Sequence, residues 1–230
     1  MKKVGFIGAY DKTDMLLNIA KILTSLNNKV LIIDSTINQK ARYVVPAINP
    51  TVSYITSFED IDIAIGFNCI EEIEKYTGMS YESQYDILLV DADTAEKIKG
   101  FDLDKAEKKY FVTSFDMYSL KKGIEILSDL KIPFHLTKIL FTQEILKEDD
   151  DYLNFLASES KVIWDEEKVY FPIGEGDFNA IIENQRVEKI KFKKLSVQYK
   201  DSLNFITQQI LNEEDDLKIR KAIKIIERGV

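Results

Sequence analysis

The stretch Val4 to Ile22, VGFIGAYDKTDMLLNIAKI, decides how the whole chain is read. Lys3-Val4-Gly5-Phe6-Ile7 is a short apolar run of the kind that forms a buried strand. Leu16, Ile19, Ala20, Leu23 and Leu26 then recur at helical spacing, which predicts a helix from Thr13 to Asn27. Between them, Gly8 to Lys12 must turn a strand directly into a helix N-terminus.

Strand and helix keep alternating beyond this stretch. Val30-Leu31-Ile32-Ile33 reads as a second buried strand ending at Asp34, and Tyr85 to Asp91 as a third with an acidic end. Ile70 to Tyr76 and Met117 to Leu130 read as helices, and Tyr110 to Thr113 as a strand between them. After Pro133 a strand runs through Lys138 to Phe141, and a helix follows over Glu144 to Leu156. Val162-Ile163-Trp164 and Val169-Tyr170-Phe171 read as two short strands, either a hairpin or the next members of the sheet. Leu195 to Leu211 and Leu217 to Arg228 are helical, while Ser35 to Pro50, aperiodic with two prolines, reads as an irregular loop. This alternation predicts an α/β, doubly wound, mainly parallel sheet with helices on both faces. No Pro/Gly/Ser linker divides the chain, so residues 1–212 form one domain and 213–230 a C-terminal amphipathic helix.

Composition narrows the class. A 230-residue chain that is 45% hydrophobic can bury a large core, and 9 Gly with 4 Pro argue against a repeat or disordered chain. The single cysteine, Cys69, excludes a disulfide framework and fits a reducing cytosol. No apolar run reaches transmembrane length and no signal-peptide pattern follows Met1, so a soluble cytoplasmic protein is expected. A net charge of -8 disfavours sequence-independent DNA binding.

In doubly wound folds ligands sit at the carboxyl ends of the strands. Here those ends carry Gly8 to Thr13, Asp34 and Asp91. A phosphate loop needs glycines so that successive backbone N–H groups converge on the anion, a lysine for charge and a Ser/Thr hydroxyl for magnesium. Gly8, Lys12 and Thr13 meet this need, but Asp11 stands where a glycine precedes the lysine, and the earlier glycine would fall at Phe6. On the loop alone, the competing reading is a strand-to-helix turn with an ordinary exposed lysine.

The surrounding chain resembles the ParA/MinD family of P-loop ATPases, whose deviant loop reads Lys-Gly-Gly-Val-Gly-Lys-Thr-Thr. That pattern falls on Ile7-Gly8-Ala9-Tyr10-Asp11-Lys12-Thr13-Asp14. Lys29 to Asp34 is similar to the family's second strand, Tyr85 to Asp91 to its Walker B strand, and Val112-Thr113-Ser114 to the strand after that. Lys138 to Gln143 resembles its base-contacting strand end, and Tyr170-Phe171-Pro172-Ile173 its apolar segment beside the base. The resemblance runs over roughly Lys2 to Leu211 and rests on order and spacing. It implies a nucleotide site made by Gly8, Ala9, Tyr10, Asp11, Lys12, Thr13, Asp14, Thr142 and Pro172. It also implies magnesium held by Thr13, Asp34 and Asp91, with ATP or ADP as the cofactor if one binds at all.

The departures bear on activity. The family's signature lysine is Ile7 here, the glycine before the loop lysine is Asp11, the second aspartate after the second strand is Thr36, and Asp14 replaces a Thr or Ser. The groups that promote hydrolysis and the nucleotide-sandwich dimer are thus missing. A carboxylate at Asp11 points to where a β-phosphate would sit. Two such charges about 4 Å apart repel by about 4 kcal/mol at an effective dielectric near 20. Asp11 also suits an empty loop, since Asp caps a helix well and complements its dipole. It reads either as an internal substitute for phosphate or as a plain cap.

Other features have simpler readings. Lys189, Lys191 and Lys193 suggest an edge strand protected by lysines, or else a patch for nucleic acid or an acidic partner. His135 reads as a packed strand residue, and Glu148 to Asp151 as a solvated face or loop. Ile219, Ala222, Ile223, Ile226 and Val230 line one face of the last helix, with Lys218, Lys221, Lys224 and Arg228 largely elsewhere. That helix either packs on the domain or in a dimer, or makes peripheral membrane contact through 217–230. Two functions follow from the resemblance. One is a positioning or scaffold factor with weak or no ATP hydrolysis, working with a protein partner in a secretion, pilus, conjugation or partition machine. The other is an active ATP-dependent switch ATPase that forms homodimers.

Overall fold

A computed structural model describes residues 1–48, 50–142, 147–213 and 216–229. The chain begins with strand β1 (Lys2–Ile7), helix α1 (Thr13–Ser25) and β2 (Val30–Asp34), followed by a short α2 (Ala41–Val44). A hairpin of β3 (Tyr54–Phe58) and β4 (Ile61–Ile65) leads to α3 (Ile70–Thr77), β5 (Ile87–Ala92) and α4 (Ala95–Gly100). Then come β6 (Lys108–Ser114), α5 (Met117–Ser128), β7 (Phe134–Thr142), α6 (Lys147–Leu156) and β8 (Val162–Pro172). Three helices close the fold: α7 (Glu175–Arg186), α8 (Val197–Leu211) and α9 (Leu217–Arg228).

The strands form one sheet in the order β3-β4-β2-β5-β1-β6-β7-β8. Among the described residues only β3 runs antiparallel to its neighbour. Along each central strand successive side chains enter opposite cores, as the two-residue period of a strand requires. Val30 and Ile32 point into the core under α1, α8 and α9, while Leu31 and Ile33 enter the one under α3, α4 and α5. Continuous apolar runs are therefore what a sheet covered on both faces needs. Because β5 inserts between β1 and β2, Asp91 lies beside Asp34 in register and beside Phe6 on the other side. The acidic ends of two strands thus meet next to the loop that leaves β1.

The structure departs from the sequence reading in several places. The β3–β4 hairpin turns on Glu59 and Asp60, both at positive φ, a geometry usually signalled by Asn-Gly, so the sequence carries no turn mark. The segment after Ser35 contains α2. Val162 to Pro172 is one strand parallel to β7 and not a hairpin; a register shift opposite Leu136 and Lys138 absorbs its polar middle, Asp165 to Glu167. Lys189, Lys191 and Lys193 are not in a strand, because β8 already closes that edge of the sheet. They lie in the connection after α7, where Ile190 and Phe192 alternate inward as core plugs. His135 is on β7 but exposed, 4.0 Å from Asp165. Asp150 in the acidic run is buried, paired with Lys138 and Lys168 at 2.6 Å each. Gln143, the start of the expected helix at Glu144, and Val230 lie outside the described residues.

Helix α9 packs against α1 and α8, with Ile219, Ala222, Ile223 and Ile226 inside the core. Each fully buried isoleucine contributes about 2 kcal/mol. The apolar face considered for membrane contact is therefore covered, and α9 turns its basic side outward. No helix is long and apolar enough to cross a membrane among the described residues.

Candidate functional site

The loop from Gly8 to Lys12 is fixed first by its backbone. Gly8 has φ +139, a conformation open to glycine, and a Cβ there would lie 2.2 Å from the Val112 carbonyl oxygen. Its N–H donates to the Ala92 carbonyl at 3.1 Å, which ties the loop to β5. Ile7 faces away from the loop and is completely buried in the core beneath α3 to α5. A lysine at this position would have to leave that core to reach any ligand.

Lys12 is buried, with 2% of its surface exposed, and so is not the ordinary exposed lysine of the simpler reading. Its Nζ donates to the Gly8 carbonyl at 2.6 Å and the Tyr10 carbonyl at 2.9 Å, and lies 2.9 Å from Asp91 Oδ1. An ammonium has three donors, and the loop carbonyls take two of them. The contact to Asp91 is an ion pair without hydrogen-bond geometry, since Asp91 Oδ1 is a buried oxygen with no hydrogen-bond partner among the described residues. Burial pushes the Asp91 carboxyl up to about 7; Lys12 pulls it down, and neighbouring Asp34 pushes it further up.

Asp11 sits over the start of α1. Its Oδ1 accepts from the Thr13 amide at 3.0 Å and its Oδ2 pairs with Lys40. Burial alone would raise its pKa, but Lys40 and the Thr13 amide outweigh burial and leave it lowered. Lys40 also reaches Asp14 at 2.8 Å, and Asp14 in turn accepts from Gln185 Nε2 at 2.9 and 3.0 Å. One lysine thus joins the loop, the first turn of α1 and, through Asp14, helix α7. Nothing in the sequence marks Lys40, because it lies in the aperiodic segment after β2. Asn38 and Tyr43 lie in that same segment, and Asp93, just after β5, is brought to the site by its bond from the Ile37 amide.

These residues enclose a cleft of about 500 Å³ at the carboxyl end of the sheet. Gly8, Ala9, Tyr10, Asp11, Lys12, Thr13 and Asp91, all named as candidates from the sequence, line it. Asp34 does not; both its oxygens are engaged nearby, Oδ1 by the Thr36 amide and hydroxyl and Oδ2 by the Ala41 amide. Thr142 and Pro172 pair with each other across β7 and β8 and lie outside the cleft lining. On their side, Tyr10 packs its ring on Phe141 at 4.6 Å, and Phe141 stacks on Phe171 at 4.6 Å. A smaller cleft of about 260 Å³ lies there, lined by Tyr10, Asp14, Phe141 and α7. Burial and the nearby Asp11 charge raise the Tyr10 hydroxyl to about 12.

The donor set does not fit a magnesium-bound nucleoside triphosphate in this arrangement. Lys12 is held by two loop carbonyls and paired with Asp91, Asp11 covers the Thr13 amide, and both Asp34 oxygens accept from Thr36 and Ala41. Two lysines, Lys12 and Lys40, and three carboxylates, Asp11, Asp91 and Asp93, line the cleft, so its charge opposes an anion. Among the described residues no group of three or more His, Cys, Asp or Glu is placed to hold a metal ion.

A loop joining the first strand of a doubly wound parallel sheet to a helix N-terminus is an architecture that P-loop nucleoside-triphosphatase domains share with other nucleotide-binding folds. More closely, the fold is that of the ParA/MinD ATPases. A ParA family ATPase from Chlorobium tepidum TLS superimposes with a TM-score of 0.60 at 12% identity, over 91% of this chain and 97% of its own. MinD in the MinC:MinD cell division complex of Aquifex aeolicus gives 0.59 at 14% identity, over 94% and 97%. MinD from Pyrococcus horikoshii OT3, solved with Mg-ADP, gives 0.56 at 15%, over 91% and 95%. No family model and no curated protein matches the chain in sequence.

Proposed function

We propose that this chain is a divergent ParA/MinD relative with a degenerate loop, acting as a positioning or scaffold factor for a cellular machine, with weak or no ATP hydrolysis. The observation that carries this reading is that the loop satisfies itself. Lys12 donates to the Gly8 and Tyr10 carbonyls and is ion-paired with Asp91, and Asp11 takes the helix amide that a phosphate would take. The buried Ile7 and the engagement of Thr36 with Asp34 support it, since neither supplies a charged group to a ligand. The machine is of the secretion, pilus, conjugation or partition kind, and its contact is a protein partner, as MinC is for MinD in the neighbouring structure.

Titration calorimetry with Mg-ATP tests this directly. The native protein should bind weakly, and Asp11→Gly should bind about tenfold more tightly or better, because it removes a carboxylate from the phosphate position. Tight binding by the native protein sinks the reading. So does phosphate release that disappears in Lys12→Ala, which would establish the switch ATPase instead.

A further inference from the structure

We propose that a second copy of this chain pairs with this one through β3, antiparallel about a twofold axis at Thr56, so that two eight-stranded sheets join edge to edge. This surface lies four places along the sheet from β1 and is independent of what the loop binds.

A strand at the end of a sheet leaves a row of backbone donors and acceptors open to another chain, and proteins blunt such edges with charge, proline or a bulge. The two ends of this sheet differ. β8 is blunted: Asp165, Glu166 and Glu167 fill its middle, its register shifts opposite Leu136 and Lys138, and Pro172 ends it. Helix α8 also covers part of it, where Ser202 donates to the Tyr170 carbonyl at 3.1 Å. β3, Tyr54-Ile55-Thr56-Ser57-Phe58, has no charge, no proline and an unbroken register with β4.

The hairpin fixes which backbone groups are free. Its two-residue turn closes on Phe58 and Ile61 as a hydrogen-bonded pair, and such pairs alternate from there. Tyr54, Thr56 and Phe58 therefore bond to β4, while Ile55 and Ser57 turn their N–H and C=O outward. Among the described residues no other backbone group bonds to them.

These free groups are self-complementary, as an interface built from the same patch on both copies must be. With Thr56 on the axis, Ile55 of each copy faces Ser57 of the other, and each pair exchanges both N–H···O bonds. Tyr54 meets Phe58 of the other copy on the face that carries the core under α1, and Thr56 meets Thr56. Aromatic pairs and Thr–Thr pairs both stabilise adjoining strands. The acidic turns at Glu59-Asp60 fall at opposite ends of the paired strands, about 20 Å apart and beyond the screening length. By contrast, β8 paired with its own copy would set Asp165 to Glu167 against themselves.

Sedimentation velocity of the full native chain, without nucleotide, should show a dimer populated by about 100 μM. Thr56→Lys sets two like charges opposite each other on the axis and should weaken that dimer about tenfold or more, with circular dichroism unchanged. Thr56→Cys, in a Cys69→Ser background, places two thiols on a non-hydrogen-bonded pair with Cα atoms about 4.5 Å apart, within disulfide reach. It should crosslink on mild oxidation with copper phenanthroline, whereas Asp60→Cys in the same background should not. A native chain that stays monomeric at about 100 μM overturns the proposal. So does a dimer unchanged by Thr56→Lys, a dimer that forms only with Mg-ATP, or a Thr56→Cys chain that crosslinks no faster than Asp60→Cys. None of these measurements needs nucleotide binding, so failure here leaves the reading of the loop standing. Tight ATP binding removes that reading and leaves this one.

Discussion

Two buried lysines of this protein meet a carboxylate, and their surroundings drive those carboxylates in opposite directions. On β7, Lys138 is held by Asp150 at 2.6 Å, by Asn154 Oδ1 at 2.6 Å and by the Trp164 ring at 4.9 Å, and Lys168 approaches the same Asp150 at 2.6 Å. Burial raises the Asp150 carboxyl, but two lysines outweigh burial and leave it lowered. At the loop, Asp91 has one lysine and an acidic neighbour, Asp34, so burial wins and its carboxyl is raised to about 7. The Lys138 site has cations to spare and acts as a fastener for α6. The Lys12 site has a single lysine against two neighbouring carboxylates, Asp91 and Asp34.

This contrast can be broken by removing the lysines. Lys12→Met leaves Asp91 buried and uncompensated and should cost about 4 kcal/mol in urea unfolding at pH 8, with a smaller loss at pH 5, where Asp91 takes up a proton. Lys138→Met should cost only about 2 kcal/mol, because Asp150 retains Lys168 and the lost stem is replaced by an apolar one. A larger loss at Lys138 than at Lys12 would invert the comparison.

The pH dependence sharpens it. A carboxyl raised in the folded state favours folding most when protonated. The contribution of Asp91 is therefore greatest below its unfolded value of 3.8, falls as pH rises towards about 7, and is flat above. Native stability relative to Asp91→Asn should fall by up to about 1.4 kcal/mol per pH unit inside that window. Asp150, lowered on folding, contributes above its unfolded value of 3.8, and that contribution is lost as pH falls through its folded value. Native and Asp150→Asn should therefore converge only in strong acid. Matching pH profiles for the two variants would refute the contrast. The smallest effect is expected for Lys40→Ala, about 0.5 kcal/mol and reduced by salt, because Lys40 and Asp11 are partly exposed.

The sheet was legible because its central strands are continuous apolar runs between helical periods, from Val4 to Ile7, Val30 to Ile33 and Ile87 to Val90. Reading failed where chemistry and structure part company. Glu59-Asp60 makes a tight turn without a glycine, and the polar Asp165 to Glu167 lies inside a strand because that strand is a sheet edge. Glu175 to Arg186 forms a helix that shows little periodicity, since it rests on the core through only a few residues such as Ala180 and Ile181. At the site, Lys12, Asp11 and Asp91 could be placed from the loop and the strand end. Lys40 and Asp93 could not, because their roles come from α2 and its preceding loop folding over the cleft, which no period in the sequence records. The burial of Lys12 was likewise hidden, since it arises from two carbonyls of its own loop.

Gly8 carries a wider consequence. Its neighbour is a carbonyl of β6, so what forbids a side chain there is the sheet and not a ligand. A chain of this fold that abandons nucleotides must still keep this glycine, or lose the close approach of the loop after β1 to β6. The glycine is therefore poor testimony about activity. Position 11, in the exposed loop and outside the sheet, is where a lineage of such proteins would write its loss of trade.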